Sequence, residues 1–127
     1  MQESPIALVE ASVATRAAHI HQEYIVEPLA NGFRFGEGLP LFKDRIFTIP
    51  EASDGLKEVA RQNLTWLDGQ LAGKQFLAGD RFTLADVLLW CFLDFGGAVG
   101  QPGPEGLANL EAWFERVSAR PSVAASA

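Results

Sequence analysis

The stretch from Phe76 to Leu89 dominates the hydrophobic pattern of this chain. From Leu84 to Phe95 the residues are almost all apolar. A helix that is apolar on every side has to be buried on every side. The pattern therefore predicts a central, enclosed helix from Thr83 to Phe95, and Gly79 and Asp80 are typical of the tight turn that would lead into it.

The beginning of this predicted helix carries two capping signals. Thr83 can accept a hydrogen bond from the first turn, and Asp86 can accept one from the Thr83 backbone N–H, which is the reciprocal pattern of a capping box. Phe82 and Val87 stand at the spacing of a hydrophobic staple around the cap. Capping explains Thr83 and Asp86 better than catalysis does, and we expect truncation of either to cost about 1 kcal/mol.

Apolar residues recur at helical spacing on both sides of this stretch. They predict a first helix over about residues 4–35, a second over about 51–73 and a last one from about 107 to 120. Residues 39–50, bounded by prolines, are predicted as a loop that can hold one helical turn. A chain of 127 residues is near the usual size of one domain. The prediction is an all-α fold, a helical bundle in a single domain.

Particular residues predict where these helices begin, bend and end. Pro28 removes a backbone donor and clashes with the carbonyl of Tyr24, so the first helix should kink or end there. Ser53 or Asp54 is suited to cap the second helix. Pro121 should stop the last helix or turn the chain, and the residues after it are predicted to form a tail.

Composition narrows the classes of function. Sixteen acidic residues against ten basic ones give a net charge of −6, which argues against a nucleic-acid or anionic-membrane partner. The single cysteine, Cys91, excludes an internal disulfide and is predicted to be a small buried hydrophobe in a reducing compartment. The sequence from Met1 shows neither a signal-peptide pattern nor an apolar run of about 18 residues. We therefore expect a soluble, cytoplasmic protein.

Few polar side chains are spaced to act together. His19 and His21 are two residues apart, so on a helix they point to different sides, cannot share a metal ion, and are predicted to be a surface pair. Arg16, His19 and Glu23 share one helical face. That face is either a solvated stripe with an ion pair or the lining of a cleft or dimer seam. No nucleophile–base group, metal cluster or phosphate-binding loop is recognisable.

Three motifs follow one another in the second half of the chain. The first is Leu67-Asp68-x-x-Leu71. The second is FLAGDRFT at 76–83, which continues into Ala85-Asp86, and the third is Leu110, Trp113 and Arg116 followed by Ala-Arg-Pro-Ser at 119–122. Together they resemble the C-terminal, all-helical domain of cytosolic glutathione S-transferases. Arg16-Ala17 also resembles the start of the first helix of that domain.

The resemblance implies a division of labour between two domains. In this family an N-terminal thioredoxin-like domain carries the catalytic Ser, Tyr or Cys and binds most of the glutathione, whereas the helical domain forms an apolar wall for the electrophile. Nothing in this chain resembles the first domain. Glu3-Ser4 is only weakly similar to the acid-Ser pair with which that domain holds the γ-glutamyl end of glutathione. The resemblance thus implies no catalytic residue and no cofactor bound by this chain alone, glutathione as the co-substrate, and a homodimer.

The resemblance also places the wall on the latter part of the first helix and the loop after it. The candidate substrate-binding residues are Arg16, His19, Glu23, Tyr24 and Phe33. Two functions of other classes stay open: an interaction module, like the transferase-like domains of translation factors and aminoacyl-tRNA synthetases, and a non-catalytic binder of apolar small molecules. We expect an exposed apolar patch where a thioredoxin-like domain would pack, with Val13, Ile20 and Tyr24 contributing to it.

Overall fold

A computed structural model describes Arg16 and residues 20–126, of which 124–126 are described without their side chains. A π-helical turn, Gln22–Val26, leads into the helices α1 (Glu27–Phe35), α2 (Leu39–Phe42), α3 (Ser53–Gln70), α4 (Leu84–Ala98), α5 (Ala108–Ser118) and α6 (Pro121–Ser126). A short 3₁₀ turn, Pro50–Ala52, precedes α3. The predicted all-α bundle is confirmed. No helix of the described residues is long and apolar enough to cross a membrane.

The hydrophobic core lies where α1, α3, α4 and α5 meet. Its largest fully buried side chain is Trp113 on α5. The core comprises Ile25, Leu29, Ala60, Leu64, Leu67, Leu71, Phe76, Leu89, Trp90, Leu93, Leu110, Trp113, Val117 and Val123. The apolar residues at helical spacing in the predicted second helix are Leu56, Val59, Ala60, Leu64, Leu67 and Leu71. The last four are buried, whereas Val59 is 43% exposed.

The disturbance predicted at Pro28 takes the form of a π-helical turn. The Glu27 N–H donates to the carbonyl of Gln22, five residues back, and α1 then continues past Pro28 to Phe35. Because proline has no N–H, the carbonyl of Tyr24 has no helical donor four residues later. Asn63 on α3 supplies one, with 2.6 Å between its Nδ2 and the Tyr24 oxygen. A side chain of the neighbouring helix thus replaces the lost helical bond.

The helices α3 and α5 begin with hydrogen bonds to other helices, and for α3 this differs from the predicted cap. Ser53 lies inside α3, and its hydroxyl donates to the Gly32 carbonyl of α1 at 3.0 Å instead of capping its own helix. The first turn of α5 receives its cap from another helix: Asp68 of α3 accepts the Leu110 N–H at 2.9 Å. Backbone donors of a helical first turn need such partners, and here tertiary contacts provide them.

The C-terminal residues form a helix where a tail was predicted. Pro121 begins α6, because the first position of a helix does not need the N–H that proline lacks. Val123 is buried in the core. Arg120, just before α6, stacks over the ring of Phe82 with 3.7 Å between its guanidinium carbon and the ring centre. The end of the chain therefore packs against the residue that precedes the cap of α4.

The capping box of α4 is present, and its two members contribute unequally. The Thr83 side chain faces the Asp86 backbone N–H, and the Thr83 N–H donates to Asp86 Oδ2 at 2.8 Å. The Thr83 hydroxyl also donates to the same carboxylate oxygen at 3.3 Å. Asp86 Oδ1 accepts two further bonds at 2.9 Å, from the Leu77 N–H and from Trp113 Nε1. Asp86 is completely buried. It is therefore the junction of three segments as well as a cap.

The prediction that α4 is enclosed on every side is wrong. Ala85, Asp86, Leu89, Trp90 and Leu93 are buried on one face. The opposite face is open to solvent. Its residues are spaced four, three and four apart, so they line up along the helix. This face consists of Leu84, Leu88, Cys91 and Phe95, and its large residues are 67%, 39% and 46% exposed. Cys91 is thus an exposed residue and not the buried one that was predicted.

His21 is buried, although a surface position was predicted for it. Only 7% of the residue is exposed, and no hydrogen-bond partner reaches its Nδ1 within the described structure. Burial lowers the pKa of His21 below its ordinary value of 6.5, and the negative charge of Asp86 opposes this effect by favouring the protonated form. His21 should therefore be neutral in the folded protein at neutral pH.

We expect Asp86→Ala to destabilise the domain by about 3–5 kcal/mol, because it leaves the buried indole N–H of Trp113 and the part-buried N–H groups of Leu77 and Thr83 without an acceptor. Thr83→Ala should cost about 1 kcal/mol, as for an ordinary cap. Urea unfolding of both variants measures the difference. Asp80→Ala, an exposed aspartate in the preceding turn, is the matched control and should change the free energy of unfolding by less than about 0.5 kcal/mol. Equal costs for Asp86→Ala and Thr83→Ala would contradict this interpretation of the junction.

The lowered pKa of His21 predicts a loss of stability on mild acidification. A histidine whose pKa is depressed by folding contributes fully above the unfolded value of 6.5, and its contribution is lost as the pH falls toward the folded pKa. Between about pH 7.5 and pH 5.5 the free energy of unfolding should fall less in His21→Gln than in the unsubstituted chain. His19→Gln, at the other histidine of the sequence, shows whether the effect belongs to His21. The same slope in His21→Gln as in the unsubstituted chain would refute the assignment.

Candidate functional site

One unusual surface is the open face of α4, which we call the α4 outer face: Leu84, Leu88, Cys91 and Phe95. These side chains extend along nearly the whole length of the helix, while its other face fills the core. Contiguous exposed apolar surface on a soluble domain usually marks a binding surface. The apolar patch was predicted on the first helix, whereas this exposed face lies on α4. Of the residues proposed for the first helix, Ile20 is half-buried and Tyr24 is exposed, whereas Val13 lies outside the described residues.

A small aromatic cavity adjoins this face. It has a volume of about 150 Å³ and is lined by Leu29, Ala30, Phe33 and Arg34 of α1, Phe42 of α2, and Phe92 and Phe95 of α4. Phe33 stands nearly perpendicular to two of its neighbours: its ring centre is 6.2 Å from that of Phe42 and 5.5 Å from that of Phe95. Such edge-to-face pairs are favourable arrangements of aromatic rings. Because Phe95 belongs to both features, the cavity and the α4 outer face form one continuous apolar region.

The candidate substrate-binding residues that the structure describes have different surroundings. Phe33 lines the aromatic cavity. Tyr24 instead meets Trp66 of α3 edge to face, with 6.1 Å between ring centres. Arg16 and Glu23 are exposed, and His19 lies outside the described residues. Of this set, Phe33 therefore combines an apolar setting with a cavity.

Sequence reasoning did not find the other walls of the cavity. Phe92 and Phe95 were interpreted as core residues of an enclosed helix, and Phe42 was placed in a loop. Phe92 and Phe95 are three residues apart, and this spacing indicates that they share a helical face. Only the packing of α1 against α4 brings that face to Phe33. Arg34 is the cationic residue of the lining; its Nη1 donates to Asn31 at 3.0 Å.

A second cavity of about 140 Å³ contains the buried His21. It is lined by Ile20, His21, Trp66, Leu67, Gln70, Leu71, Lys74 and Leu77. The described residues contain no group of three or more His, Cys, Asp or Glu side chains that could hold a metal ion. His21 thus belongs to a mixed polar and apolar pocket near the Asp86 junction.

Comparison with known proteins agrees with the motifs and the fold. The family model described as "Glutathione S-transferase, C-terminal domain" matches residues 39–121. The chain is 33% identical over 67 residues to glutathione S-transferase 2 of Saccharomyces cerevisiae, an alignment that covers 53% of this chain and 29% of the relative.

Two solved structures share the architecture. One is a glutathione S-transferase domain-containing protein from Marinobacter aquaeolei, with a TM-score of 0.80 and 31% identity over 96% of this chain and 58% of that one. The other is Gtt2 from Saccharomyces cerevisiae, with a TM-score of 0.77 and 24% identity over 98% of this chain and 58% of that one, which supports the fold alone. The chain spans well under two thirds of the length of these proteins. By its family match, its motifs and its helical architecture, the chain belongs to the glutathione S-transferase C-terminal domain family.

Proposed function

We propose that this chain is the substrate-side, helical half of a glutathione transferase and that it is inactive without a thioredoxin-like domain. The observation that carries the proposal is the α4 outer face, on which Leu84, Leu88 and Phe95 are exposed although they belong to the most apolar helix of the bundle. Burying a leucine or phenylalanine side chain stabilises by roughly 1.5–3 kcal/mol. A domain that leaves three such residues in a row on its surface gains strongly from a partner that covers them.

The chemistry proposed for this half is positioning. In the family that the chain resembles, the thioredoxin-like domain activates the glutathione thiol, and the helical domain orients the electrophile beside it. Orientation of two reactants is a large contribution to catalysis and requires no acid, base or nucleophile on the wall itself. Phe33 is our first candidate for the wall because it contacts the α4 outer face through Phe95. Arg16, His19, Glu23 and Tyr24 remain further candidates.

We also propose a homodimer in the cytoplasm. Tyr24 and Trp66 support the dimer, because this aromatic pair is 51% and 43% exposed, and aromatic residues are enriched among the residues that dominate binding at protein interfaces. The cytoplasmic location is supported by the single cysteine, which gives the chain no internal disulfide.

Conjugation of glutathione to chlorodinitrobenzene tests the proposed function. The chain alone should show only the uncatalysed rate. A chimera in which it replaces the matched part of the Marinobacter protein should conjugate at least about tenfold above that rate, because reactants held in position react much faster than free ones. An activity of the chain alone that survives further purification would overturn the proposal, as would a folded chimera without activity although the parent Marinobacter protein is active in the same assay.

The exposed α4 outer face predicts that the chain alone binds an anilinonaphthalene sulfonate dye. A Leu84→Lys/Leu88→Lys variant should lower the dye fluorescence at least about twofold, because it places two charges on the apolar stripe. Val59→Lys on α3, another exposed aliphatic position, is the control and should leave most of the signal. Equal losses in both variants would show that the dye does not report on α4.

A further inference from the structure

We propose that the aromatic cavity between α1 and α4 is a binding site for a small aromatic carboxylate, occupied by a single ring with its carboxylate at Arg34. This site goes beyond the proposed function, since binding to it requires neither glutathione nor a thioredoxin-like domain. The juxtaposition that carries the proposal is a box of phenylalanine rings with one guanidinium among the residues that line it.

The size of the cavity selects the occupant. A cavity of about 150 Å³ lined by aliphatic and aromatic side chains is large enough to hold one benzene ring. Long acyl chains exceed that volume. The site is therefore matched to a single six-membered ring.

The arrangement of the walls favours an aromatic ring over an aliphatic one. The rings of Phe33 and Phe42 meet at 82°, and those of Phe33 and Phe95 meet at 87°. Their faces and edges therefore point in different directions around the cavity. Aromatic rings attract each other edge to face and in offset stacks, at centre-to-centre distances of about 4.5–7 Å. A further ring can meet both kinds of surface in this box.

Arg34 supplies the preference for an anion. It is the one charged residue in the lining, and its guanidinium carbon is 6.0 Å from the ring centre of Phe42. Arg34 Nη1 donates to the neutral amide of Asn31, and a guanidinium carries five N–H donors. Planar guanidinium groups bind carboxylates through two parallel hydrogen bonds. The chain as a whole has a charge of −6, so this cationic, apolar pocket is a local exception.

The test is a titration of the 127-residue chain with benzoate and with benzyl alcohol, followed by backbone amide NMR. Benzoate should bind saturably, with shifts concentrated around Phe33, Arg34 and residues 92–95. Arg34→Gln keeps a donor for Asn31 and removes the charge. It should weaken benzoate binding about tenfold, the effect of losing one charge-assisted hydrogen bond, and change benzyl alcohol binding less than about twofold.

Two further variants separate the cavity from the surface around it. Ala30→Leu fills the cavity and should abolish saturable binding, whereas Ala112→Leu, the same substitution at an exposed position of α5, should have no effect. Phe95→Leu removes one ring at a half-exposed position and should weaken binding at least about threefold through the lost aromatic contact. Thermal melts confirm that each variant is folded.

The outcomes decide the proposal independently of catalysis. Absence of saturable benzoate binding, shifts remote from the cavity, or unchanged binding in folded Ala30→Leu would overturn the site. Equal sensitivity of benzoate and benzyl alcohol to Arg34→Gln would overturn the assignment of the carboxylate to Arg34. Failure of the conjugation assay has no bearing on any of these results, because the titration is performed without glutathione.

Discussion

The carboxylate of Asp86 accepts hydrogen bonds from three parts of the chain: the Leu77 N–H in the connection between α3 and α4, the Thr83 N–H at the start of α4, and the indole N–H of Trp113 on α5. A buried charge is costly unless hydrogen bonds satisfy it, and a carboxylate offers only acceptors. Aspartate therefore fits a site that is made of donors, whereas asparagine would place its own amide donors against them. This one side chain fixes where α4 begins and how α5 lies beside it.

Further bonds join α5 to the same region. Asp68 accepts the Leu110 N–H, and Arg116 donates to the Gln75 carbonyl at 2.6 Å. Leu110, Trp113 and Arg116 are three residues apart, so they present one face of α5 to α3 and to the connection after it. The residues that carry the family resemblance are thus largely the residues that hold these segments together. The motifs therefore describe a junction that holds helices together.

The junction also gives α4 its two different faces. Asp86 is anchored inside the bundle, so Leu89, Trp90 and Leu93 enter the core, and Leu84, Leu88 and Phe95 must then point outward. The close approach of α1 contributes at the far end of the helix. A Cβ at Gly96 would lie 3.1 Å from a methyl carbon of Leu29, so glycine lets the two helices meet near Phe33 and Phe95. The same packing therefore creates the α4 outer face and the aromatic cavity beside it.

The sequence by itself determined the helical class, the approximate extent of the second, central and last predicted helices, the turn at Gly79, whose φ is +118°, and the capping pair. Each of these depends on neighbours a few residues apart. Tertiary structure decided the rest. An all-apolar helix has no polar face to indicate which side is exposed, so the exposure of Cys91 could not be read from α4 alone. His21 is buried and Ser53 bonds to Gly32 because other helices pack there. The aromatic cavity requires Phe33, Phe42 and Phe95 to meet across three helices, and no local spacing encodes that contact.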